Sequence, residues 1–279
     1  MRIGLSTHLF HDERLSRDHL RAIAAHGFEA IELFATRTHF DYHDPAAVSA
    51  LAAWLDETGL VLHSVHAPIV EGLSGGVWGP ALSTATSDPA RRQRTIREID
   101  AALALRERIP FSFLVAHLGV PDVPPPAPDD NQREAARRSV QEMHALAEAR
   151  GVTLALEVLP NRLSSVAALR RLVDDELELD DVGLCLDTGH AHMTDDVVDA
   201  IEEASGHIVT THLHDNDGRS DAHLVPFDGT IPWEATLFAL QKVGYDGVYV
   251  FELARTAPPE EILARARHVR RRFEEILAS

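Results

Sequence analysis

The sequence predicts an α/β protein in which eight parallel strands close into a (β/α)8, or TIM, barrel, with residues 1–279 forming a single domain. Three observations carry this. Short apolar, β-branched runs alternate with longer segments of helical period along the whole chain, the pattern of a parallel sheet with helices packed outside it. The alternation occurs eight times in 279 residues, close to the ~250 residues typical of a closed barrel. No Gly-x-Gly-x-x-Gly follows the first run, which disfavours the open, doubly wound alternative.

In chain order the predicted strands are Ile3–Thr7, Ala30–Phe34, Val61–His66, Phe113–His117, Thr153–Val158, Val182–Asp187, Ile208–His212 and Val248–Leu253. After the third, "GLSGG" (Gly72–Gly76) is only loosely like a Gly-x-Ser-x-Gly nucleophile turn and lacks a strand before it. It reads as a flexible loop that covers the barrel mouth together with Trp78. A helix follows with Asp88 as N-cap, Pro89 at its first position, and Ile96, Ile99 and Leu103 on one face. After the fourth strand, Pro121–Asp130 forms a stiff, proline-rich loop leading into a helix that begins near Asp130. In the last helix, Glu260 and Glu261 complement the dipole of the first turn. Ile262, Ala266, Val269, Phe273 and Ile276 form its apolar stripe, and Arg270–Arg272 is mostly its solvated face rather than a basic binding patch. Phe10 and Phe227 fall in or near mouth loops and are assigned to local packing; Trp78 is retained as a candidate substrate contact.

Composition sets limits. Hydrophobic residues make up 45% and charged residues 25%, ordinary for a globular protein. The formal charge of −18 opposes duplex DNA as a partner, since that affinity comes mostly from Lys and Arg on phosphates. Cys185 is the single cysteine. It excludes an intramolecular disulfide, suits a reducing compartment, and reads as a small buried hydrophobe. The opening "MRIGLSTHLF" has no basic n-region or long apolar h-region, and no run approaches ~18 apolar residues. A cytoplasmic protein without a membrane span is expected.

Histidine is abundant, with 17 residues, and its positions matter more than its number. His66 ends strand three, His117 strand four and Glu157 strand five. Asp187 and His190 follow at strand six, His212 at strand seven with Asp221 and His223 in its loop, and Glu252 at strand eight. Any one of these is more often a satisfied structural residue than a ligand. Nine of them at one end of six consecutive strands are hard to attribute to stability, because buried carboxylates and imidazoles are costly unless a cation compensates them. That end is where a barrel's βα loops build active sites. Imidazole and carboxylate without thiolate suit Zn2+, Mn2+, Fe2+ or Co2+. His214, Asp215 and Asp217 are assigned supporting or solvent-facing roles.

With "HAP" at His66, "LDTGH" at Asp187 and "HLHDNDGRSDAHLVPFDGTIPW" from His212, the chain resembles the xylose isomerase-like TIM-barrel superfamily. That superfamily includes AP endonuclease family 2 and many proteins called sugar phosphate isomerase/epimerase. The resemblance implies two alternatives. The ketose epimerase type holds one cation with residues matching Glu157, Asp187, His212 and Glu252. There Glu157 and Glu252 would remove and return a proton beside a metal-chelated carbonyl, and His190 would hold a substrate hydroxyl. The endonuclease IV type holds three zincs and adds ligands matching His66, His117, His190, Asp221 and His223. It would hydrolyse a small phosphoester, with Glu157 bridging two cations. "HLVPFDG" departs from the usual Gly-Glu-Gly form of that loop, with Phe227 and Asp228 in its first two places, and the endonuclease's DNA-bending loops are not identifiable. The expected cofactor is one to three divalent ions, Zn or Mn, and the expected partner a small sugar or phosphoester. Homo-oligomers are plausible for such barrels, and a non-catalytic metal- or sugar-binding protein is the third reading.

Overall fold

The structure, a computed structural model, describes residues 1–278. Its strands are β1 (Arg2–Ser6), β2 (Ala30–Phe34), β3 (Val61–His66), β4 (Phe113–Ala116), β5 (Thr153–Glu157), β6 (Gly183–Asp187), β7 (Ile208–Leu213) and β8 (Val248–Phe251). Each pairs in parallel with its neighbours, and β1 against β8, in register Arg2↔Val248 to Leu5↔Phe251, closes the barrel. β2 and β6 are buried along their whole length, as strands covered on both faces must be, which is why they read as near-continuous apolar runs.

The helices are α1 (Arg17–Ala25), α2 (Pro45–Thr58), α3 (Pro89–Leu103), α4 (Arg133–Glu148), α5 (Val166–Arg170), α6 (Thr188–Thr194), α7 (Val197–Glu203), α8 (Trp233–Lys242) and α9 (Pro259–Leu277). The Asp88 carboxylate accepts from the Ala90 and Arg91 N–H groups at 2.8 and 3.1 Å and fixes the start of α3. Ile96, Ile99 and Leu103 are buried beneath it, and so are Ile262, Ala266, Val269 and Phe273 beneath α9. None of the helices of the described residues is long and apolar enough to cross a membrane.

Four expectations are corrected. α4 starts at Arg133 rather than near Asp130, because Asn131 takes a left-handed φ of 55°. Its side chain instead clamps the preceding loop, accepting from Val120 N–H at 2.8 Å and donating to Val120 O at 2.9 Å. Gly72–Gly76 is not a featureless loop: Leu73–Ser74 pairs antiparallel with Val77–Trp78, and Gly75 and Gly76 supply the two positive φ values of the turn. Arg270 and Arg272 are not simply solvated. Arg270 donates to Gly27 O at 2.8 Å and to Glu29 at 3.1 Å, and Arg272 lies 3.5 Å above the Phe227 ring. His117 and Glu252 stand one residue beyond their strands, and β7 runs one residue past His212, the usual uncertainty of strand ends.

Candidate metal centre

Strand alternation aims the centre. On β5, Ala155 and Glu157 share one face; on β6, Cys185 and Asp187; on β7, Thr210 and His212. The lower of these are small, and Cys185 packs with Val115 and Ala155 in the barrel interior, as expected of a buried thiol. The upper ones carry the polar groups. Ligand atoms of Glu157, Asp187, His212 and Glu252 all lie within 4.8 Å of one another, and all four residues are buried. His212 Nδ1 is 3.3 Å from Glu252 Oε2, 3.5 Å from Glu157 Oε1 and 3.8 Å from Asp187 Oδ2. Even so, His212 Nδ1 and Glu157 Oε1 are buried without a hydrogen-bond partner. Two orphaned lone-pair groups inside a ring of carboxylates fit a divalent cation, because leaving them unpaired in the interior costs stability.

The second ring nitrogens are committed elsewhere. His66 Nδ1 pairs with Ala67 O at 2.9 Å, His190 Nδ1 with Val158 O at 3.0 Å and His223 Nδ1 with Glu252 O at 3.0 Å. Backbone carbonyls only accept, so each Nδ1 keeps a proton and each Nε2 is the nitrogen that faces inward, the one that offers a lone pair once it is deprotonated, an arrangement that orients a metal-binding imidazole. His66 and His117 Nε2 both lie 3.1 Å from Glu157 Oε2, so Glu157 offers one oxygen to this pair and the other to the cluster around His212. His190 and His223 Nε2 approach the two oxygens of Asp221 at 3.2 and 3.1 Å. His223 holds a left-handed φ of 43°, a conformation that a bulky residue adopts only where its surroundings require it.

All nine predicted ligand residues therefore meet at one rim of the barrel, in three groups, two of which share Glu157. Sequence reasoning underrated His214. Its Nε2 is 3.0 Å from Asp187 Oδ1, it belongs to the group of His190, Asp221 and His223, and its ring stacks on His223 at 3.9 Å. It stands two residues after His212, and the same alternation would have found it. Glu32 was missed as well; an acid inside the wholly buried strand "AIELF" was its signal. Asp215 is structural, accepting from the Phe227 and Ile231 N–H groups and from Trp233 Nε1 at 2.7 Å. Asp217 accepts from Ser220 in its own turn.

The electrostatics follow from burial and pairing. Burial alone would raise the Glu157 carboxyl, but His117 and His212 hold it well below the usual carboxylate range. Asp187 and Asp221 are likewise lowered against burial, by His190 and His214 and by His190 and His223 respectively. In return Glu157 pushes His66, and Asp221 pushes His223, up to about 9 despite burial.

Above these groups opens a cavity of about 460 Å³. Its wall includes Phe34, His8, His11 and Trp78, and no Lys or Arg among the described residues. His11 stacks on Trp78 at 5.0 Å and on His8 at 4.7 Å. Burial first, then His223 and His11, lower His8 well below the usual imidazole value, so it is neutral. Phe10 and Phe227 do not line the cavity: Phe10 is buried against His19, and Phe227 packs on Trp233 and Phe273.

Fold and site together define a TIM-barrel protein with a cluster of histidines and carboxylates, suited to divalent metal, at the C-terminal mouth. The family described as "Xylose isomerase-like TIM barrel" matches residues 20–272, and the chain belongs to it. It is 30% identical over 240 residues to the uncharacterized protein y4fM of Sinorhizobium fredii, covering 80% of this chain and 77% of that one. It is 25% identical over 244 residues to the D-psicose 3-epimerase of Enterocloster bolteae, covering 85% and 76%. Among solved structures, a D-tagatose 3-epimerase-like protein superposes with a TM-score of 0.80 at 23% identity, covering 100% of this chain and 98% of that one. The IOLI protein, solved with a zinc atom, superposes with a TM-score of 0.78 at 20% identity, covering 98% of each.

Proposed function

We propose that the protein is a divalent-metal-dependent isomerase or epimerase of a small, uncharged sugar. The observation that carries this reading is that Glu157 and Glu252 converge on one four-residue cluster with Asp187 and His212 while both also line the cavity. The epimerase names of the relatives support it. A cation held by those four residues would act as a Lewis acid on a carbonyl and its neighbouring hydroxyl. One of the two glutamates takes the proton from the hydroxyl-bearing carbon next to the carbonyl; the electron pair moves toward the carbonyl and leaves an enediolate. The other returns a proton, to the opposite face of the same carbon for epimerisation; for isomerisation the proton goes to the former carbonyl carbon while the hydroxyl proton moves from one oxygen to the other. His190 holds a substrate hydroxyl, and the stacked His11–Trp78 pair offers a flat surface to the sugar's C–H face. With no Lys or Arg in the wall among the described residues, a phosphorylated sugar finds no guanidinium or ammonium there.

The test is proton exchange. Protein loaded with Mn2+ or Zn2+ and incubated with a panel of ketoses and aldoses in D2O should place deuterium at a carbon beside the carbonyl, read by NMR. Glu157→Gln or Glu252→Gln should slow that exchange ~10²–10⁴-fold. A second reading, hydrolysis of a small phosphoester by two or three ions, is favoured by the further groups His66–His117–Glu157 and His190–His214–Asp221–His223. Two or three metal equivalents, with phosphodiesterase activity lost in His223→Ala and no deuterium uptake by any sugar, would replace the first reading with the second. Tight sugar binding with neither activity would favour the non-catalytic reading.

A further inference from the structure

We infer that Glu32, which carries no ligand or catalytic role in the reading above, is the positioning residue that aims His212 at the cation. The inference rests on that reading's metal centre. Glu32 lies on β2, is fully buried, and belongs to none of the three ligand groups. Its oxygens sit 3.0 and 3.1 Å from His212 Nε2. Ser64 Oγ on β3 donates to the same carboxylate at 2.8 Å. His212 is the one ligand of the four-residue cluster contributed by an imidazole, and an imidazole offers a lone pair at Nδ1 only if the proton resides on Nε2. At His66, His190 and His223 a backbone carbonyl enforces the tautomer; at His212 a carboxylate does. A carboxylate also makes the ring more basic, hence a stronger donor to metal.

The backbone is built for this contact. The β2–β3 ladder shifts register between Ile31 and Glu32, so that Ile31 faces Leu62 but Glu32 faces Ser64. One residue of β3, His63, is thereby skipped, as in a β-bulge, a device that re-aims a side chain. A buried carboxylate placed only for stability is a poor choice, since an apolar residue of similar size is usually no worse. One fixed against a serine hydroxyl and the back of a ligand imidazole has a geometric task.

The experiment titrates Zn2+ into wild-type protein, Glu32→Gln, Glu32→Asp and Ser64→Ala by calorimetry. In parallel, the His212 Nε2–H resonance of the zinc-loaded proteins is followed by proton–nitrogen NMR. Glu32→Gln should weaken zinc ~10–100-fold and move the Nε2–H signal upfield. Glu32→Asp should restore part of both effects, and Ser64→Ala should move both in the same direction by less. Destabilisation alone would lower the melting temperature of folded protein without moving its zinc affinity or that resonance. Folded Glu32→Gln with wild-type affinity and an unshifted signal overturns the inference and leaves the metal centre standing. If Glu32→Gln does not fold, an unshifted signal and unchanged affinity in Ser64→Ala overturn it equally. Failure of wild-type protein to bind Zn2+ or Mn2+ overturns the metal centre itself, and the role of Glu32 with it.

Discussion

A histidine that binds metal must first lose a proton, and in this protein the proton is held tightly. Glu157 raises His66, and Asp221 raises His223, to about 9 from the ordinary 6.5. A folded-state value raised above the unfolded one means that these pairs stabilise the metal-free protein fully below about 6.5 and lose that contribution as pH climbs through about 9. Asp187, Asp221 and Glu157 are lowered, so their contribution is present above the unfolded values of 3.8 and 4.5 and disappears as pH falls through the lower folded ones. The contribution of these pairs to the metal-free protein is therefore greatest between about 4.5 and 6.5. A cation competes for the same lone pairs, so its binding should release protons and tighten from pH 6 to pH 8. Calorimetry in buffers of different ionisation enthalpy counts those protons. Zinc binding at pH 7 with none released, at equal affinity at both pH values, would contradict the pairing of His66 with Glu157 and of His223 with Asp221.

Among the elements, the βα junctions made the site legible and the register shifts hid part of it. His66, Glu157, Asp187 and His212 could be placed from sequence because each stands at or next to the end of an apolar run, and strand ends in a barrel share a rim. Asp221 and His223 were placed only as members of the loop that follows β7, since loop residues have no period to aim them. Glu32 escaped because it stands in the middle of β2 rather than at its end, and the register shift that brings Ser64 rather than His63 opposite it is one that no alternation count reveals. A similar shift between Leu184 and Cys185 separates β6 from β7. The start of α4 was misplaced because Asp130 looks like an N-cap while Asn131, in its left-handed conformation, ties the loop instead. The β6–α6 junction supplies a test at this scale. Gly189, in the first turn of α6, has no room for a Cβ, which would come within 1.9 Å of His214 Cε1. Gly→Ala inside a helix ordinarily stabilises by ~0.5–1 kcal/mol. Gly189→Ala should instead destabilise by ~1–3 kcal/mol, because His214 must leave Asp187 or the backbone must yield. Denaturant unfolding measures the sign. Adding His214→Ala should recover part of the loss, since coupled neighbours are not additive; stabilisation by Gly189→Ala alone would contradict the packing.

For the whole molecule, the closed barrel brings Glu32 and Glu252, 220 positions apart in the chain, to one buried centre, and it does so in a protein of net charge −18. The cavity wall contains no Lys or Arg among the described residues, and exposed carboxylates outnumber the cations over the rest of the surface. A phosphorylated sugar would meet repulsion during approach and find no guanidinium or ammonium to hold it; a neutral sugar meets neither penalty. Charged encounters are screened by salt, with a Debye length of about 10 Å at 0.1 M against about 30 Å at 0.01 M. For a neutral substrate kcat/KM should therefore stay flat between these ionic strengths. For its phosphorylated counterpart kcat/KM should be lower and should rise with salt as the repulsion is screened. Assaying both forms of one sugar across that range separates the cases. A phosphorylated sugar that turns over faster at low salt than at high salt would mean that bound cations reverse the field of the mouth, and would move the proposed substrate from a neutral sugar to an anionic one.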